Sequence, residues 1–251
     1  MCKDMKKSNI AWTDGTANFW WGCMKVSEGC DNCYALAQSK RVGKDIWGSP
    51  KITQREYKKA IWKELPKWDA EARAENRRVK VFVQSMSDFL EDHPQVVEWR
   101  EEAKKLIVSL TNIDILMLTK RPENAPKFLG DWFDNWPLHV WFGVSVENQK
   151  RADERIPELL KVPAPILWLS VEPQLERIDL FYYVRGIDWV VVGGESGVHC
   201  RPFDLGWARL LLNECKQNNT RFFMKQLGGH PDKRHNMSDF PLDLQVREFP
   251  E

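Results

Sequence analysis

Three cysteines crowd into eleven positions of this 251-residue chain. Cys23, Cys30 and Cys33 sit in the string GCMKVSEGCDNCYA with the spacing C-x6-C-x2-C. Three thiolates on one loop can each hold one iron of a [4Fe-4S] cluster and leave the fourth iron without a protein ligand. Such an open iron suits chelation by the amino and carboxylate groups of S-adenosyl-L-methionine (SAM). One electron from an external reductant then cleaves a carbon–sulfur bond and releases a 5′-deoxyadenosyl radical, which abstracts a substrate hydrogen. The protein's share of that chemistry is position and the exclusion of water. Zinc is the competing reading. A zinc site takes four ligands, often as two CxxC knuckles, whereas here a single CxxC has one more cysteine seven residues earlier. A distant His199 or Cys200 would have to complete the set. Ligand count and a strand–loop–helix setting favour the cluster.

The other cysteines read as bland: Cys2 at the terminus, Cys200 as a loop thiol and Cys215 as a helix core residue. Three clustered and three scattered cysteines make a poor disulfide framework, and in a reducing cytosol the cluster points to metal. His230 and His235 lie in a polar tail with nothing else to suggest a site. The formal net charge of +1 gives no global pull toward nucleic acid or membrane. No stretch approaches the roughly 18 apolar residues of a membrane span, and residues 1–9 lack the apolar run of a secretory signal. A cytoplasmic protein without a membrane partner is expected.

The elements that must position the cysteines repeat along the chain. After residue 80, apolar runs rich in β-branched and aromatic residues each end in a polar or glycine-rich cluster. They fall at 81–88, 113–121, 139–148, 165–173, 188–197 and 221–229. Little alternation within them suits strands buried on both faces of a parallel sheet. Helical patterns at 96–110, 151–160 and 205–215 separate several of them. An earlier strand at about 17–21 precedes the cysteines, with a helix at 34–42 behind them. The expectation is an α/β fold, a partial (β/α) TIM-like barrel of about six to seven parallel strands.

In such barrels functional groups stand at the C-terminal strand ends. Here those ends carry Gln84, Ser85, Ser87 and Asp88; Lys120 and Arg121; Ser145, Glu147 and Asn148; Ser170 and Glu172; Gly193, Gly194 and Glu195; Lys225 and Gln226. The chain reads as one domain, 1–251, with a basic insertion at about 40–80. Residues 40–67 hold nine Lys or Arg against three acids, a balance of +6 that leaves −5 for the rest. Trp47, Tyr57 and Trp62 interleave with those charges. Such a segment can contact phosphates and stack bases, or simply form a solvated helical face. The 13 tryptophans can line a pocket for a ring-shaped substrate, though most should be core.

The opening IAWTDGTANFWWGCMKVSEGCDNCYA, with VFVQSMSDF, LTKRPEN, GVSVENQ, LSVEP and VVGGESG in order, resembles a three-cysteine family of bacteriophages and prophages. That family is taken to be of radical SAM type and related to spore photoproduct lyase. The likeness spans nearly the whole chain. Its departure is the first cysteine gap, six residues where three is common. The resemblance implies a [4Fe-4S] cluster on Cys23, Cys30 and Cys33, with SAM as cofactor. By position, the polar cluster that binds the SAM amino group falls to Gln84, Ser85, Ser87 and Asp88. Ser145, Glu147 and Asn148 are candidates for the ribose hydroxyls, or helix caps. Gly193 and Gly194 let backbone approach the adenine, or make a tight turn. Lys120, Arg121, Glu195 and Lys225 are the candidate catalytic residues: the three cations are set to meet the SAM carboxylate or an anionic substrate, and Glu195 to accept from a ribose or from substrate. The alternative for the three cations is a salt bridge to Glu147, Glu172 or Glu195.

The resemblance also implies a substrate. Phages rewrite their DNA bases, and moving an amino acid from a nitrogen link to a carbon link on thymine removes an unactivated hydrogen. The expected activity is isomerisation of an amino-acid-substituted thymine in phage DNA, in the host bacterial cytoplasm. The alternatives are photoproduct-lyase-like repair, radical chemistry on a small molecule, and a non-catalytic zinc-stabilised module that binds nucleic acid.

Overall fold

The computed structural model describes residues 8–251, so Cys2 lies outside the described residues. The chain divides into two compact units. The first takes residues up to Lys25 together with Ala35–Trp141, and the second takes Val26–Tyr34 with Phe142–Glu251.

In the first unit the parallel strands are β1 (Gly15–Ala17), β4 (Val79–Val83) and β5 (Ile113–Thr119). Gly15 lies opposite Val81, and Val83 opposite Met117. In β5 every residue except Leu118 is buried, which fits a strand covered on both faces. Each large apolar side chain so buried contributes roughly 1.5–3 kcal/mol. Between β1 and β4, strands β2 (Trp20–Trp21) and β3 (Glu56–Tyr57) form a separate antiparallel ribbon.

That ribbon corrects the single strand expected at 17–21. Asn18 interrupts it, turning its side chain to accept from the Met86 N–H at 2.7 Å. The next two backbone N–H groups, of Phe19 and Trp20, donate to the Gln84 side chain at 2.8 and 3.3 Å instead of to a strand. Helix α1 (Tyr34–Arg41) follows the cysteines as expected. Helix α2 (Ile61–Ala74) starts within the basic segment 40–67 and runs past it, buries Ile61, Leu65, Trp68 and Ala72 at helical spacing, and contains Pro66. Helices α3 (Val97–Ser109) and α4 (Ala125–Leu129) complete this unit.

In the second unit β6 (Val140–Ser145), which begins at the end of the first, runs parallel to β7 (Leu167–Val171). β7 pairs with β8 (Trp189–Gly193), and β8 with β9 (Arg221–Gln226), both in parallel. Helix α5 (Gln149–Leu159) starts at Asn148, whose side chain accepts from the Arg151 N–H at 2.9 Å and caps it. Helix α6 (Leu205–Asn218) is capped by Asp204 and ends at Asn219 in the left-handed conformation. Seven parallel strands in chain order, interspersed with helices, are the strand–helix plan of a partial (β/α) barrel. The fold class is the one the sequence implies.

Candidate active site

Polar residues at the ends of β4 and β5 build a buried charged group in the first unit. Asp88 is its centre. One carboxylate oxygen accepts from the Thr119 hydroxyl at 2.7 Å and the Leu90 N–H at 3.0 Å. The other accepts from the Lys120 N–H at 3.0 Å and from Arg121 Nη1 at 2.8 Å. Burial works against the charge on Asp88, but the Arg121 guanidinium and these donors hold its carboxyl below the usual carboxylate range. Arg121, itself buried, donates from Nη2 to the Met24 carbonyl at 2.6 Å. Its Nη1 reaches Cys23 Sγ at 3.6 Å.

Two further buried arginines join this group. Arg55 forms a two-pronged bond to Glu91 at 2.7 and 2.9 Å. Arg100 donates to the Phe89 carbonyl at 2.8 Å and also to the Glu91 carbonyl. Burial pushes the Cys23 thiol up to about 12, and Arg121 opposes that rise. Burial also opposes the charge of Arg121, yet Asp88, Cys23 and Glu91 raise it above its ordinary value.

Gln84, Ser85 and Ser87 brace the chain around the first cysteine. The Ser85 hydroxyl accepts from Asn18 at 3.0 Å, and the Ser87 hydroxyl donates to the Trp20 carbonyl at 2.9 Å. Gln84 is buried, and its oxygen is taken by Phe19 and Trp20. Its Nε2 is a donor with no hydrogen-bond partner among the described residues. Such an orphan invites an acceptor from a bound molecule.

The second unit holds the segment with Cys30 and Cys33. The Ser27 hydroxyl donates to Glu147 at 3.0 Å, and the other Glu147 oxygen pairs with Arg155 at 2.9 Å. Arg155 also donates to the Ser145 carbonyl at 2.7 Å. Glu147, expected at the ribose hydroxyls, is fully buried with both oxygens so engaged. Gly29 packs directly on it, since a Cβ there would meet Glu147 Cγ at 2.4 Å. Further along, Asn32 donates to Glu195 at 2.9 Å and to the His199 carbonyl at 2.7 Å. Arg201 holds Glu195 from Nε and Nη2, at 2.9 and 2.6 Å, and also donates to the Glu28 carbonyl at 3.0 Å. Burial opposes the charge on Glu195, but Arg201 and Asn32 lower its pKa. Ser27 Oγ lies 3.9 Å from Cys30 Sγ. Glu147 and Glu195 therefore brace the cysteine segment from β6 and β8.

The remaining expected residues of this unit lie at the ends of β7, β8 and β9. Lys225 pairs with Glu172, the salt-bridge alternative for this cation. Gly194 sits where a Cβ would meet the Leu227 carbonyl at 2.4 Å, so the chain after β8 can approach that after β9 only without a side chain. Gln226 donates to the Gly194 carbonyl at 2.8 Å and to Ser196 at 2.9 Å. Several residues escape sequence reading: Arg55, Glu91 and Arg100 in the first unit, Ser27, Asn32, Arg155 and Arg201 in the second, and also Gln174. Gln174 is buried and keeps its Oε1 unpartnered among the described residues. A polar side chain just past LSVEP was its only signal.

Cys23, Cys30 and Cys33 are half-buried free thiols, as is Cys200, while Cys215 is buried. The donor set, three unpaired thiols of which one faces a buried guanidinium, has the chemistry a [4Fe-4S] cluster needs. Among the described residues no three His, Cys, Asp or Glu side chains are already gathered as a metal-holding group. No helix among them is long and apolar enough to cross a membrane.

Fold and strand-end polar groups together define an α/β protein of the partial-barrel class. The chain belongs to the family described as protein of unknown function DUF5131, whose model matches residues 7–245. No curated protein matches it. Among solved structures it is similar to spore photoproduct lyase. A cysteine-to-alanine mutant of that enzyme with dinucleoside spore photoproduct is 15% identical, with a TM-score of 0.48, over 85% of this chain and 64% of that one. A tyrosine-to-phenylalanine mutant is 14% identical, with a TM-score of 0.46, over 89% of this chain and 66% of the other. For another structure of the cysteine-to-alanine mutant the values are 13%, 0.44, 76% and 58%. The chain thus spans less than two thirds of the length of these structures.

Proposed function

We propose that this chain is a radical SAM enzyme whose cluster is held by Cys23, Cys30 and Cys33. The observation that carries the reading is the cysteine segment itself. Two of the three thiols ride on Val26–Tyr34, a segment braced by two buried carboxylates while its thiols stay free of disulfides. Fixing a loop's flanking side chains while leaving its sulfurs available is what a resident metal group requires. The cluster and SAM would supply reductive cleavage to a 5′-deoxyadenosyl radical. The chain's own residues bind, orient and exclude water. The orphan Gln84 Nε2 is a donor suited to the SAM carboxylate. Lys225 with Glu172, and Lys120, are the charged groups assigned to substrate.

The substrate we assign is a modified base in DNA, an amino-acid-substituted thymine that the enzyme isomerises. Support comes from the family resemblance and the basic segment. Within that segment Arg55 is consumed by Glu91, and Lys44 and Lys58 pair with Glu56. Lys58 also lies 3.8 Å over the Trp21 ring. The other six cations of the segment are exposed, and of these Lys59, Lys63 and Lys67 lie close in sequence, the last two one turn apart on α2. These three are the phosphate contacts we assign.

Anaerobic reconstitution tests the class, with about four iron and four sulfide per chain expected. Reduced protein with SAM should yield 5′-deoxyadenosine, and nucleoside mass spectrometry of phage DNA should show a rearranged thymine. Zinc in place of iron overturns the class. Charge reversal of Lys59, Lys63 and Lys67 to Glu should weaken DNA binding and flatten its salt dependence by roughly one log–log unit per lost phosphate contact. An unchanged salt slope overturns the DNA assignment and leaves the class standing.

A further inference from the structure

We propose that Arg121 is a positioning residue for Cys23, donating an N–H to its sulfur and setting how readily a cluster bound there accepts an electron. The inference rests on the proposed cluster and goes beyond it to the residue that tunes it. Three cations and two carboxylates make up the buried group at the ends of β4 and β5. They are Arg55, Arg100 and Arg121 against Asp88 and Glu91, one cation in excess. Arg55 and Glu91 neutralise one another through two bonds. Arg100 is satisfied by backbone carbonyls. Arg121 shares Asp88, touches the Met24 carbonyl, and sends its Nη1 toward Cys23 Sγ at 3.6 Å. A buried excess cation is costly unless an anion stands beside it. Arg121 has Asp88 and Arg55 has Glu91, so Arg100 is the member with no carboxylate bonded to it. A cysteine thiolate bonded to iron would add an anion to the group, and Arg121 Nη1, 3.6 Å from Cys23 Sγ, is the donor that meets it.

Hydrogen bonds and positive charge at a ligand sulfur favour the more negative, reduced cluster and so raise its potential. Arg121 has its guanidinium engaged on three sides within the first unit. Its task is thus the electronics and placement of Cys23, and the SAM carboxylate falls to other donors.

The test is the midpoint potential of the reconstituted full-length protein without SAM, followed by EPR, with iron content measured in parallel. Arg121→Gln removes the charge and should move the potential to more negative values with iron still bound. Arg121→Lys keeps the charge and should restore part of the shift. Asp88→Asn removes the neighbouring negative charge and should move the potential the opposite way. A residue that only supports the fold does not produce shifts of opposite sign in these variants. Should Arg121→Gln fail to fold, Arg121→Lys and Asp88→Asn still carry the comparison. Potentials equal to the parent's in variants that hold iron overturn the inference alone. A parent protein that binds no four-iron cluster overturns the proposed function and this inference with it.

Discussion

In the first unit a cysteine is met by a buried cation, whereas in the second the cysteine-bearing segment is met by buried carboxylates. Around Cys23 the contact is made to the sulfur itself, from Arg121. Around Cys30 and Cys33 the contacts are made to the neighbours: Ser27 and Gly29 on Glu147, Asn32 on Glu195. The first arrangement acts on the charge of a sulfur, and the second on the shape of a loop. One family of strand-end residues thus serves two physical tasks, separable by variants that change charge without shape or shape without charge.

The largest effect separates ligands from bystanders. Cys23→Ala, Cys30→Ala or Cys33→Ala should each abolish the four-iron absorbance, whereas Cys200→Ala and Cys215→Ala should retain it. Loss of bound metal on removing Cys200, with zinc as that metal, would restore the zinc module. Next come the buried anchors. Glu147→Ala strands the Arg155 guanidinium without its carboxylate and should cost about 3–5 kcal/mol in urea denaturation. Glu91→Ala, which strands Arg55 in the first unit, should cost a similar amount. If only one of the two is severe, the symmetry of the comparison fails.

Gly29→Ala tests shape alone. Its new methyl would overlap Glu147, and overpacking of this kind costs about 1–3 kcal/mol. Iron content should fall while the potential of the clusters that remain stays near the parent's. A shifted potential would mean that the loop, like Arg121, acts on the sulfur's charge.

Much of this was legible beforehand, for reasons that differ by region. The strands after residue 80 announce themselves because both faces are buried and the apolar runs are dense, unbroken in β8 and interrupted only by Asp114 before the end of β5. Their polar ends are legible by the same contrast. What a strand-end carboxylate does is not legible, because its partner is remote in sequence. Glu147 finds Ser27 across 120 residues, and Arg121 finds Cys23 across 98. Helix α2 is masked by Pro66 and by the charge density of residues 40–67, which admits a solvated helical face without marking where it begins or ends. The strand at 17–21 misleads because its last two residues are as apolar as a core strand yet belong to a ribbon with β3.

The smallest effect expected is at the exposed edge of the second unit, where charge acts without burial. Arg151 holds Glu28 through Nε and Nη2 at 3.0 and 3.2 Å, and Asn148 adds a contact at 3.4 Å. The Arg151 hydrogen bond, with its backbone contact, lowers the Glu28 carboxyl from 4.5 to about 2. A group depressed on folding stabilises the fold above its unfolded pKa and loses that contribution as pH falls through the folded one. The Glu28–Arg151 pair should therefore contribute fully above about pH 4.5, progressively less below it, and little near pH 2. Because Glu28 is half exposed, screening limits the contribution to roughly 0.2–1 kcal/mol. The measurement is the difference in Tm between parent and Glu28→Gln across pH 2–6. It should be small and constant at the upper end and close toward pH 2, and added salt should shrink it throughout. A difference that persists at pH 2 would show that Glu28 braces the cysteine segment by shape, and the exposed pair would then belong with Gly29 and Glu147.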